Sequence, residues 1–279
     1  FRIERRSTEE AIESSEENIP PAAPDRLYLV HAAGLPRFRP AYDALIGMGF
    51  YNLNPDSMKQ LQSPDVGELL RRDGGNIASV VDRIQVERPD LAERIREYLS
   101  RIVPGITSVE RAPLGPKETL VFLQDVVGSR SPWRFYASSM SDGTLRALAT
   151  LVAVTQLAGG AEPVRLVGIE EPETALHPAA AGALMDALRE AATRTQILVT
   201  THSPDLLDRV EPDTERLLVV QSAQGTTEIA PVDRASLQAI RDHLYSAGDL
   251  LRMDQLEPDS EDVERQRQTE IFEEPAPAR

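Results

Sequence analysis

The chain has 279 residues, enough for one large domain or two small ones around a substantial core. It contains no cysteine, which excludes disulfides, thiol nucleophiles and cysteine-ligated metals and is compatible with a cytosolic protein. Acids outnumber bases 45 to 30, and the net charge of −15 opposes indiscriminate binding to nucleic acid or anionic lipid. The longest apolar run, Leu148 to Ala158, falls short of the roughly 20 residues a membrane span needs. The polar, acidic start carries no apolar secretory segment.

Residues 1–26 read as an acidic flexible linker, crowded with Glu9, Glu10, Glu13, Glu16 and Glu17 and ended by Pro20, Pro21 and Pro24. A helix over 7–17 would have little apolar face. Leu27–Val30 reads as a short buried strand, and Phe38–Met48 as a helix followed by a turn at Asn54-Pro55-Asp56. Val66–Arg72 reads as a short helix stopped by Asp73-Gly74-Gly75. Ile77, Val80, Val81 and Ile84 recur at helical spacing, as do Leu91, Ile95 and Leu99 between Pro89 and Pro104. Strands follow at 106–112, 119–124 and 133–137, separated by Gly115-Pro116 and Gly128–Pro132.

From Ser141 onward, helix and strand alternate. Thr144–Leu157 is apolar nearly all round, the mark of a buried helix. Val164–Ile169 reads as a buried strand, Leu176–Ala192 as a helix with Pro178 near its start, and Gln196–Thr200 as a second buried strand. A short helix at Pro204–Val210 precedes a hairpin of Leu217–Val220 and Glu228–Val232 around Gly225, then a helix over Ser236–Tyr245. Residues 257–279 carry eight acids and three arginines and read as a disordered acidic tail, with Asp259, Glu261 and Asp262 part of a solvated charge run.

Three elements carry chemistry. VRLVGIEEPE, residues 164–173, is an apolar strand ending in adjacent glutamates. A parallel strand opens its C-terminal end onto the crevice where ligands bind, so one of Glu170 and Glu171 could hold a hydrated Mg²⁺ while the other polarises a water. Acids ahead of a helix also simply favour its dipole. QILVTTHSPDLL, residues 196–207, delivers His202 to the same edge. In SSMSDGTLRAL, residues 138–148, Ser141 can cap the long apolar helix, and Gly143 lets the backbone approach a ligand closely; such an N-terminus suits an anion, though it also describes an ordinary capped core helix.

In this order the three elements resemble the C-terminal lobe of an ABC-type ATPase head, closest to the AAA-like ATPases related to the RecF, SMC and OLD families. Ser141-Asp142-Gly143-Thr144 resembles the signature motif, and Ile169-Glu170-Glu171-Pro172-Glu173 resembles Walker B with its catalytic glutamate. Thr174-Ala175-Leu176-His177-Pro178 takes the D-loop position, and Thr201-His202-Ser203 the switch-histidine position. The resemblance implies that Glu170 supports Mg²⁺ through water and that Glu171 orients or deprotonates the attacking water. It implies that His202 senses the γ-phosphate, and that Ser141, Gly143 and Thr144, with His177 in the D-loop, meet nucleotide held by an opposing subunit.

The family's phosphate loop, G-x-x-x-x-G-K-[ST], has no match here; Lys117 follows Gly115-Pro116 without the loop's other residues. The expectation is therefore a C-terminal portion whose phosphate loop lies upstream of Phe1, inactive by itself. The divisions expected are a linker at 1–26, a helical lid and β segments at 27–137, an ATPase lobe at 138–256 and an acidic tail at 257–279. The expected fold is α/β, with a mostly parallel core sheet after residue 138. The complete protein would hydrolyse ATP with Mg²⁺ between two heads of a cytoplasmic homodimer, with DNA or a repair or defence protein as further partner. The alternative is a degenerate head acting as a non-enzymatic interaction module.

Overall fold

The computed structural model describes residues 4–5, 12–13, 28–155, 164–223 and 225–268. Most of the linker, and the helix considered over 7–17, lie outside the described residues; within them β1 (Glu4–Arg5) and β2 (Ile12–Glu13) pair antiparallel. The short strand expected over 27–30 is corrected, because Tyr28–Ala32 is a helix, α1, with Ala32 buried. A four-residue apolar run does not distinguish a strand from a helix segment.

Next come α2 (Arg39–Ile46), β3 (Met48–Tyr51) and α3 (Pro55–Lys59). The α3 helix begins where a turn was read, and the Asn54 side chain accepts from the Asp56 N–H to cap it. No helix forms over 66–72. Asp65 accepts from the Gly67 N–H at 2.7 Å, and buried Asn76 accepts from the Arg71 N–H while donating to Leu69 O and Asp65. These side-chain bonds take the backbone groups a helix would use. The helices α4 (Ile77–Glu87) and α5 (Pro89–Ile102) match the apolar spacing, as do the strands of an antiparallel sheet, β4 (Ile106–Leu114), β5 (Lys117–Gln124) and β6 (Trp133–Tyr136).

The alternation beyond Ser141 yields α6 (Asp142–Thr155), β7 (Leu166–Glu170), α7 (Ala181–Ala192), β8 (Gln196–Thr200) and α8 (Pro204–Leu207). Leu176 and His177 belong to a turn rather than to α7, and a short 3₁₀ turn at Pro178–Ala180 leads into the helix. The parallel sheet has the order β3-β7-β8. Its first strand thus comes from residues 48–51, well before residue 138 where the core sheet was expected to begin. The α6 helix is buried almost all round, as its composition requires, and one core runs from Ile77 and Leu99 through Phe122 and Leu148 to Val167 and Leu184.

The last elements are the hairpin β9 (Leu218–Ala223) and β10 (Thr226–Pro231), then α9 (Arg234–Arg241), α10 (Ala247–Arg252) and α11 (Ser260–Gln268). A smaller core of Leu207, Ile240, Ala247 and Leu250 packs α9 and α10 against α8. The α11 helix corrects the expected tail over its first half. Val263 is buried, Gln266 donates to Ile229 O at 2.8 Å, and Arg267 pairs with buried Glu228. A carboxylate placed in the hairpin needs partners, and the helix supplies one. Residues 269–279 lie outside the described residues. Among the described residues no helix is long and apolar enough to cross a membrane.

Candidate functional site

The C-terminal ends of three neighbouring parallel strands form the site. In register, Tyr51 lies opposite Ile169, and Glu170 opposite Thr200. Each strand runs straight into polar residues: Asn52 after β3, Glu170 and Glu171 at the end of β7, and Thr201-His202 after β8. Asn52 donates through Nδ2 to Glu170 Oε2 at 2.8 Å, so a residue 118 positions earlier in the chain orients the first glutamate. Asn52 was not singled out from the sequence. The available signal was its place directly after an apolar strand, the same signal that marked Glu170 and His202.

Glu171 closes the strand. Its N–H donates to Thr200 O at 2.9 Å, one step beyond the ladder, and its φ of 41° then turns the chain. A non-glycine residue in the left-handed region is strained and is held there by its surroundings. Thr174 supplies the hold, with its N–H donating to Glu171 O at 3.1 Å and its hydroxyl to Glu171 Oε2 at 3.0 Å. One carboxylate oxygen thus has a fixed donor, which sets the direction the other faces. His202 follows β8 with an exposed ring.

Ser141 caps α6 as expected: its hydroxyl accepts from the Thr144 N–H at 3.2 Å and shares a bond with the buried Thr144 hydroxyl at 2.8 Å. Asp142 forms an ion pair with Lys59 at the end of α3. Gly143 is buried, and the close approach it allows is made here by this same chain. A Cβ on it would lie 2.2 Å from Ala175 O in the turn after β7. Ala175 itself has φ 66°. His177 Nδ1 accepts from the Ala179 N–H at 3.2 Å, which leaves the ring proton of a neutral His177 on Nε2. The structure therefore bonds Asn52 to Glu170, leaves the Glu171 side chain bonded separately to Thr174, and packs the Gly143 end of α6 on the adjoining turn. Among the described residues no hydrogen bond links Ser141 or Thr144 to Glu170, Glu171 or His202.

No group of three or more metal-ligating side chains is present among the described residues. Mg²⁺ does not require one, since it commonly takes one or two carboxylates and completes its shell with waters and substrate phosphates. Glu170, exposed at the strand end and held by Asn52, fits that role.

A parallel sheet flanked by helices, with acidic and histidine residues at its C-terminal edge, makes this an α/β fold whose strand ends open onto a crevice suited to a ligand. The chain belongs to the family described as "AAA domain, putative AbiEii toxin, Type IV TA system", whose model matches residues 25–208. That family agrees with the resemblance to AAA-like ATPases read from the sequence motifs. A search of the curated proteins found no match. Among solved structures it is similar to SMC ATPase heads. One, described by its ATP-driven dimerization and DNA-stimulated activation, is 13% identical with a TM-score of 0.42, over 58% of this chain and 94% of that one. A Pyrococcus furiosus Smc head bound to the C-terminal domain of ScpA is 14% identical with a TM-score of 0.41, over 55% of this chain and 37% of that one. An SmcHead bound to the C-winged helix domain of ScpA is 15% identical with a TM-score of 0.45, over 70% of this chain and 57% of that one. The chain thus spans less than two thirds of the last two.

Proposed function

We propose that this chain supplies the hydrolytic face of an ATPase head, completed by a phosphate-binding loop that is not among these 279 residues. The reading is carried by one observation: Asn52, Glu170-Glu171 and Thr201-His202 end three adjacent parallel strands on one edge. A further fact favours it: β8 pairs only with β7 among the described residues, leaving a strand edge open for addition. In this reading residues 27–137 are the lid and β segments, and 138–256 the ATPase lobe.

The chemistry would be phosphoryl transfer to water, in which the protein mainly positions groups and neutralises charge. Mg²⁺ would neutralise phosphate charge, held by Glu170 with Asn52 orienting that carboxylate. Glu171, with one oxygen fixed by Thr174, would accept the proton of the attacking water, and His202 would contact the γ-phosphate oxygens. Ser141, Gly143 and Thr144 would meet ATP on an opposing head, with His177 beside them, in a homodimer closed by nucleotide. A cytoplasmic location, and DNA or a repair or defence protein as partner, belong to the same reading.

The chain by itself is expected to show no steady-state ATP turnover. In a protein that also carries the phosphate loop, Glu171→Gln keeps the size of the side chain and removes the base. Hydrolysis should fall at least about a hundredfold. Nucleotide binding should persist, and a dimer should accumulate by mass. Turnover at the normal rate refutes the role of Glu171. Failure of the loop-bearing protein to bind ATP at all favours the non-enzymatic module.

A further inference from the structure

We infer that Glu173 is a positioning residue for His202, acting through the Thr201 hydroxyl. The inference rests on the proposal that His202 faces nucleotide, and adds a residue that proposal does not use. Glu173 lies in the turn after β7, two residues beyond Glu171, and Thr201 directly precedes His202. Thr201 Oγ1 donates to Glu173 Oε1. The same oxygen accepts from the Ser203 N–H at 3.0 Å. A hydroxyl has one proton to give, and here it goes to Glu173, leaving a lone pair to join the two residues that flank His202. The His202 loop is thereby closed on itself and tied to the glutamate turn by a single atom.

The bond is reinforced from both sides. Glu171 N–H to Thr200 O forms a second tie between the same two segments. Glu173 Oε2 is buried with no hydrogen-bond partner among the described residues, so Thr201 is the donor this carboxylate has. A carboxylate out of water binds its remaining donor more strongly than one in water. An acid left half satisfied is a poor choice for stability alone, which favours a role in holding the loop. The turn that carries Glu173 also carries Ala175, whose carbonyl abuts Gly143. The place of His202 is therefore set by the same turn that seats the start of α6.

The first test uses this chain. It has four histidines, so ring proton resonances can be resolved and His202 assigned by its loss in His202→Gln. Glu173→Ala and Thr201→Val should each shift and broaden the His202 resonance and leave His31 and His243 in place. Thr201→Ser, which keeps the hydroxyl, should restore the wild-type signal, and the double variant should match the single ones. In the loop-bearing protein, Glu173→Ala and Thr201→Val should lower kcat by roughly tenfold to a hundredfold with KM for ATP unchanged, the size expected for a misplaced group. An unmoved His202 resonance in both variants, or Thr201→Ser behaving like Thr201→Val, overturns the inference. If the resonance moves but His202→Ala hydrolyses ATP normally, the link stands and the proposed role of His202 fails.

Discussion

Replacing Gly143 by alanine sets two effects of opposite sign against each other. Helix propensity favours alanine over glycine by about 1 kcal/mol in a helix interior, and less near an end. Against this, the added Cβ would lie 2.2 Å from Ala175 O, 2.8 Å from Ala175 C and 3.3 Å from Leu176 Cδ2. Non-bonded heavy atoms rest about 3.5 Å apart, so helix and turn must separate by about 1 Å. The obstruction is backbone, which cannot rotate away, so the cost belongs at the upper end of the roughly 1–3 kcal/mol typical of overpacking. Gly182 provides the control. It too is the second residue of its helix, α7, but a Cβ there meets only the Arg209 guanidinium at 3.8 Å. Propensity nearly cancels between the two sites, leaving the steric difference. Gly143→Ala should unfold several degrees below wild type, at about 2–4 °C per kcal/mol for a chain of this size, while Gly182→Ala should match or exceed it. Thermal unfolding followed by circular dichroism measures both. If Gly143→Ala is as stable as Gly182→Ala, the glycine is not required by packing, and its close approach must be reserved for something outside the chain.

Asn52→Ala removes the donor that orients Glu170; in the loop-bearing protein the Mg²⁺ needed for ATP binding should rise about 10- to 100-fold, with little change in thermal midpoint, and an unchanged Mg²⁺ requirement would remove Asn52 from the site. Ending the chain at Leu256 removes buried Val263, worth about 1.5 kcal/mol, and deprives Glu228 of Arg267, so thermal unfolding should come several degrees earlier; an unchanged midpoint would show that α11 does not dock. Glu190 is held at a pKa of about 2, below its ordinary 4.5, first by hydrogen bonds from Arg94 and then by Tyr98. A carboxyl depressed on folding stabilises above its unfolded pKa and loses that contribution as pH falls through the folded one. The advantage of wild type over Glu190→Gln in urea unfolding should therefore be full above about pH 4.5 and shrink toward pH 2. A constant difference across that range would refute the ion pair with Arg94.

Elements with their own periodic or apolar signature were legible along the chain: α4, α5, the β4–β5–β6 meander, α6 and the strands β7 and β8, although β8, expected to be buried, is an edge strand among the described residues, with no buried residue and an exposed Leu198. The reason is that each depends on local spacing and on burial that a run of apolar residues announces. The places of Glu170, Glu171 and His202 at strand ends were legible for the same reason, since each follows such a run. Short segments were not. Tyr28–Ala32 became helix, and 66–72 stayed irregular because Asp65 and Asn76, on either side of it, captured its polar groups. The residues 260–268 became a helix because buried Glu228 and the hairpin offered partners that composition does not reveal. The joining of Asn52 to Glu170 across 118 positions, of Thr201 to Glu173, and of Gly143 to Ala175 arises only when strands take their order and helices their seats. Local sequence sets what each segment can be, whereas contacts between segments far apart in the chain depend on packing, and it is these contacts that orient the site.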